Sequence, residues 1–167
     1  MTSLLLDNAS KGMFKIILVS SCLAGVNCKY SGGNNYNKTI SELVKKGEAI
    51  ILCPEMLGNL PVPRIPCEIR KDEKDKRCVV NKEGEDCTKA FMEGAEKTLE
   101  VVKARDIKVA ILKSRSPSCG AGSVYDGSFS GKLIEGNGVT AQLLIKNGVK
   151  VYTEHEISQV QINNLLK

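Results

Sequence analysis

Three short apolar runs, "KIILVS" (15–20), "EAIILC" (48–53) and "IKVAILK" (107–113), constrain this chain more than any other feature. Each is too short for a helix, rich in β-branched residues, and nearly without polar positions on either face. Strands of that kind are buried on both sides, which calls for a parallel sheet covered by helices above and below. The intervening segments supply them. "KTISELVKKG" (38–47) carries apolar residues at helical spacing and ends on glycine. "CTKAFMEGAEKTLEVVKARD" (87–106) sets Ala90, Phe91, Ala95, Leu99 and Val102 on one helical face. "GVTAQLLIKNG" (138–148) predicts a further helix and "VKVY" (149–152) a last strand. The pattern predicts an α/β fold: a single-domain, three-layer sandwich with a mainly parallel, Rossmann-like sheet.

Two segments fall outside that alternation. "PEMLGNLPVPRIP" holds four of the five prolines and predicts an extended, rigid loop. "CEIRKDEKDKRCVVNKEGED" (67–86) predicts a small, charged, exposed hairpin, and Gly-rich "GAGSVYDGSFSGKLIEGNG" a second hairpin or a lid. With 167 residues, 42% of them apolar and 26% charged, the core needs no disulfide or structural metal. No apolar run approaches the roughly 18 residues of a membrane span. The start, "MTSLLLDNASKGMFK", has no basic residue ahead of its leucines, so a cytoplasmic protein is expected. The net charge of +5 mildly favours anionic partners, but its lysines are dispersed. Aromatic residues make up only 4%, so intact nucleic acid is not an expected partner. The pattern leaves the oligomeric state open.

The cysteines carry the functional question. There are seven, an odd number that cannot pair completely, and in a reducing compartment they stay free. Cys22, Cys53 and Cys119 each lie just past the carboxyl end of a predicted strand, where open α/β sheets bind their ligands. Three thiolates meeting in one crevice can hold a soft metal or an iron–sulfur cluster. Their spacing matches neither the paired cysteines of zinc fingers nor the clustered ones of ferredoxins, and three ligands leave a position free for substrate. Cysteine is also common core filler. Filler, however, does not explain Pro54-Glu55 directly after Cys53, or Ser116-Pro117-Ser118 directly before Cys119. Cys28 is a possible fourth ligand, while Cys67, Cys78 and Cys87 read as ordinary thiols. Tyr30 and Tyr125 are candidate covers for a flat ring, and Lys113 and Arg115 read as a solvated face. Gly32, Gly33 and Ser118 are candidate substrate contacts, the glycines through their backbone N–H groups.

Taken in order, "VSSCLAGVNCKYSGG", "CPEMLGNLPVPRIPCEI" and "LKSRSPSCGAGSVYDGSFSGKLIEGNGVTAQLL" resemble the DUF523 family and its thiouracil desulfidases. The resemblance runs from about Lys15 to about Glu156. It implies a DUF523-like domain at 15–156, an N-terminal extension at 1–14 and a C-terminal tail at 157–167. It implies a [4Fe-4S] cluster held by Cys22, Cys53 and Cys119, with one iron free of protein ligands, and acid/base roles for Glu55 and Ser116. The implied reaction is a non-redox desulfuration of 2-thiouracil or a related thiolated pyrimidine, releasing sulfide and uracil. Ser31 stands where relatives often carry aspartate. Two other readings remain open. One is a zinc hydrolase with a three-cysteine site, weakened because His155, the single histidine, lies far along the chain. The other is a non-catalytic thiol redox or metal sensor switching through a Cys22–Cys28 disulfide.

Overall fold

The computed structural model describes residues 15–167, so the extension at 1–14 lies outside the described residues. The chain runs β1 (Ile17–Ser20), α1 (Lys38–Lys45), β2 (Ala49–Leu52), α2 (Pro54–Leu57), β3 (Cys67–Lys71) and β4 (Arg77–Asn81). It continues through α3 (Thr88–Ala104), β5 (Val109–Leu112), β6 (Ser123–Tyr125), β7 (Leu133–Glu135), α4 (Val139–Lys146), β8 (Lys150–Thr153) and α5 (Gln159–Leu165).

Four strands form one parallel sheet in the order β2-β1-β5-β8. The alternation of side chains along β1 divides the core in two. Ile17 and Val19 face α1 and α5 through Ile40, Leu43 and Ile162. Leu18 faces α3 and α4 through Val102, Ala141 and Leu144. Helices therefore cover both faces, and the three-layer α/β sandwich is as the sequence predicts. No helix among the described residues is long and apolar enough to cross a membrane.

The strand order also fixes where a site can form. From β1 the chain moves to β2 on one side, then returns past β1 to β5 and β8 on the other. Connections leaving the carboxyl ends of β1 and β5 thus part in opposite directions, and a crevice opens between them.

Several local expectations are corrected. The proline segment does not begin as an extended loop: α2 forms one turn of helix with Pro54 at its first position, where the missing N–H costs no bond. That turn lies directly on α3. A Cβ added at Gly58 would sit 2.1 Å from the carbonyl oxygen of Ala90, and one at Gly94 1.9 Å from that of Pro54. Only a pair of glycines allows the two backbones to come this close. The β3–β4 hairpin is exposed only at its tip; Ile69 and Val79 are buried against Phe91. The stretch 157–167, expected as a C-terminal tail, carries α5. Ser158 and Gln161 cap α5 reciprocally, and Ile162 of that helix is fully buried in the core.

Candidate active site

A cavity of about 520 Å³ opens beyond the carboxyl ends of β1, β2 and β5, and Cys22, Cys53, Cys119, Glu55 and Ser116 all line it. Its size lies within the ~300–1,000 Å³ typical of small-molecule sites. Each thiol arrives on its own structure. Cys22 sits in a single 3-10 turn, Ser21–Ala24, that ends β1, and Cys53 is the residue immediately before α2. Cys119 closes a turn whose backbone is held by α4: Val139 N–H donates to the Pro117 carbonyl at 2.8 Å and Thr140 N–H to that of Ser118 at 2.9 Å. Ser20 ties two of these platforms together, its hydroxyl accepting from Lys113 N–H at 2.9 Å.

Cys28 belongs with them. Its thiol lies between Cys22 and Cys53 and hydrogen-bonds to both, which holds each of those two thiols down to about 7 against the burial that opposes it. The Cys28 proton is correspondingly held tightly, and its pKa is raised. Cys119 is raised instead, chiefly by burial, with Cys22 and Cys53 near enough to add to the effect. Thiolate is the ligating form, so two of the three expected ligands are poised to bind a soft metal centre. Among the described residues no three His, Cys, Asp or Glu groups surround one ion-sized point. His155 also reaches the cavity rim, but its ring is mostly exposed and is 3.5 Å from Glu154.

The carboxylate side is built around Arg64, which the sequence reading did not single out. Arg64 Nε donates to Glu55 Oε2 at 2.7 Å and its second terminal nitrogen pairs with the same oxygen. The remaining terminal nitrogen donates to the carbonyls of Cys28, at 3.1 Å, and Pro61, at 3.2 Å. Burial raises the Glu55 pKa, with Arg64 and Ser116 pulling the other way. Ser116 Oγ accepts from the N–H groups of Ser118 and Cys119 at 3.1 and 3.0 Å and donates to Glu55 Oε1 at 3.5 Å. The signal available in the sequence was a single cation in the proline-stiffened segment, nine residues after the carboxylate.

Other expectations fare differently. Tyr30, Tyr125 and Arg115 line the cavity. Lys113 does too, but it is not part of a solvated face: its ammonium reaches the buried Glu154 carboxylate at 2.6 Å. Gly32, Gly33 and Ser118 do not line the cavity. The glycine pair closes a turn with Lys29, and the buried Ser118 hydroxyl is 2.8 Å from that of Thr140. Cys67 and Cys87, distant in sequence, lie side by side, and burial first and Cys87 second push Cys67 up to about 12.

A doubly covered parallel sheet with thiols, a buried carboxylate and a fixed hydroxyl around one crevice defines an α/β enzyme with a thiol-lined site. The family model for 2-thiouracil desulfurase matches residues 17–156, and the chain belongs to that family of C–S bond-cleaving enzymes. It is 44% identical over 150 residues to the uncharacterized protein YbbK of Bacillus subtilis, covering 87% of this chain and 99% of that one. It also superposes on a solved [4Fe-4S]-dependent thiouracil desulfidase, TudS, with a TM-score of 0.81 and 37% identity, covering 92% of this chain and 99% of that one.

Proposed function

We propose that this chain desulfurates 2-thiouracil or a closely related thiolated pyrimidine, without net redox change, using a [4Fe-4S] cluster on Cys22, Cys53 and Cys119. The observation that carries the reading is the convergence of those three thiols with Glu55 and Ser116 on one cavity. The donor set suits the group: three soft sulfur ligands, two of them held near pKa 7. When bound, such a cluster supplies a soft Lewis acid for the thiocarbonyl sulfur.

The protein's own groups supply the proton chemistry. Water adds to the ring carbon as Glu55 takes its proton, and the C–S bond breaks; thiouracil and water give uracil and hydrogen sulfide. Burial keeps the Glu55 carboxyl basic enough for this, and Arg64 holds it in place through Oε2. That leaves Oε1 toward the reacting side. Both acceptor positions of the Ser116 hydroxyl are taken by backbone N–H groups, so its single proton is directed at Glu55 Oε1. Ser116 thus orients the Glu55 carboxylate through Oε1.

The test is anaerobic purification followed by iron and acid-labile sulfide analysis and an assay of 2-thiouracil conversion to uracil. Glu55→Gln is expected to keep its iron and lose conversion; Cys→Ala at 22, 53 or 119 loses both. Surviving turnover in Glu55→Gln removes Glu55 as the base. A colourless protein with stoichiometric zinc overturns the cluster.

A further inference from the structure

The turn between β6 and β7, residues 126–132, contributes Phe129 to the cavity wall. It is fastened by β3. Glu68 of β3, itself buried, accepts at one carboxylate oxygen, Oε2, from the N–H groups of Gly127 at 2.9 Å and Phe129 at 3.0 Å. Asp126 closes the turn from within: its side chain accepts from Ser128 N–H at 2.9 Å, and its own N–H donates to the Lys132 carbonyl at 3.1 Å. Gly127 lies so near β3 that a Cβ there would come within 2.4 Å of the Arg70 Cβ. Held this way, Phe129 has φ of 56°, a left-handed backbone that glycine adopts freely and phenylalanine does not. Such a conformation persists only where the surroundings impose it, and it clusters at functional sites. What phenylalanine adds over glycine at this position is the ring, at a residue that lines the cavity shared by Glu55 and the thiols.

We propose that Phe129 is a substrate-binding residue that stacks on the planar base, and that Glu68 is the positioning residue that holds it there. This rests on the reading of the cavity as a thiolated-pyrimidine site. Stacking on a π-face does not distinguish C=S from C=O. Its contribution is therefore uniform across substrate, transition state and product: it appears in KM and in product affinity, and leaves kcat alone.

The test compares holoenzymes by steady-state kinetics on 2-thiouracil, inhibition by uracil, and thermal melting. Phe129→Gly is expected to raise KM and weaken uracil inhibition about tenfold, the order that loss of one base–aromatic stack produces. Its kcat stays near wild type, and its Tm does not fall, because glycine relieves the backbone. Glu68→Ala is expected to reproduce the KM effect by releasing the turn. Glu68→Gln, whose amide oxygen still accepts both N–H groups, stays close to wild type. An unchanged KM and uracil inhibition in Phe129→Gly, or a fall in kcat alone, overturns the stacking role while leaving the desulfidase reading intact. A wild-type holoenzyme inert toward 2-thiouracil overturns that reading, and the stacking role with it.

Discussion

Arg64 and Glu55 form a buried ion pair in which two guanidinium nitrogens meet a single carboxylate oxygen, Oε2, and leave Oε1 to Ser116. The arrangement separates two tasks that a lone buried carboxylate performs badly together. One oxygen anchors the group, and the other remains available for a proton. Burial raises the pKa of Glu55, and Arg64 and Ser116 restrain the rise.

The sign of the consequence is definite. A base works in its deprotonated form, so activity is lost as pH falls through a Glu55 pKa that lies above the ordinary 4.5. Arg64→Met removes the restraint, and the acid limb of kcat/KM is expected to move further toward neutral pH. Arg64→Lys keeps the charge but not the two-nitrogen grip and falls between the two. A pH–rate profile on 2-thiouracil reads this directly, and an unmoved limb contradicts it.

Cys28 acts on its neighbours through its S–H group. Cys28→Ala removes the largest influence lowering Cys22 and Cys53, whose pKa values are expected to climb from about 7 toward 9.0. In cluster-free protein, iodoacetamide labelling followed across pH by peptide mass spectrometry gives each midpoint. Equal midpoints in wild type and variant rule out the hydrogen bonds.

The glycine contact between α2 and α3 makes a prediction far from the thiols. Gly94→Ala drives a methyl group into the Pro54 carbonyl and pushes away the turn that carries Glu55. A stability loss at or above the top of the ~1–3 kcal/mol usual for overpacking is expected from denaturant melts. Activity falls with it, because the displaced element holds the base. Ala substitution at Gly47, where nothing lies within 4 Å of an added Cβ, provides the contrast of a strained backbone without a clash.

Lys113 and Glu154 bind the end of β5 to the end of β8. Burial alone would raise the Glu154 pKa, but hydrogen bonds from Lys113 and Ser114 N–H outweigh it and lower the value below 4.5. A lowered carboxylate pKa stabilises the fold above the unfolded-state value, and that stabilisation is lost as pH falls through the folded-state one. Glu154→Gln is therefore expected to flatten the fall of Tm on acidification. Lys113→Met costs about 2 kcal/mol, less than for a fully buried pair because the ammonium is part exposed. Adding Glu154→Gln recovers part of it, as a double-mutant cycle measures.

The strands were legible because each apolar run is uniform and bounded by turns: "ILVS", "AIIL" and "VAIL" are the cores of β1, β2 and β5. The thiols were legible for a related reason, since a strand end in an open sheet has a known destination. Arg64 was not. Its partner lies nine residues back, across a helical turn that exists only because Gly58 and Gly94 let α2 settle on α3. Contacts made by backbone approach leave little trace in hydrophobic pattern. Lys113 read as solvated for the same reason: its partner comes from beyond β8, 41 residues later. Gly32 and Gly33, expected as backbone contacts to substrate, close a turn with Lys29 and stand outside the cavity lining.

The placement of β5 beside β1 has a bearing on the order of events in the cell. Leu18 pairs with Ala110 and Val19 with Ile111, so the third thiol joins the first two only when a strand some ninety residues downstream docks between β1 and β8. A chain emerging from the ribosome with Cys22 and Cys53 already exposed still lacks Cys119 and Ser116. The three-thiol arrangement thus depends on the long-range docking of β5 against β1.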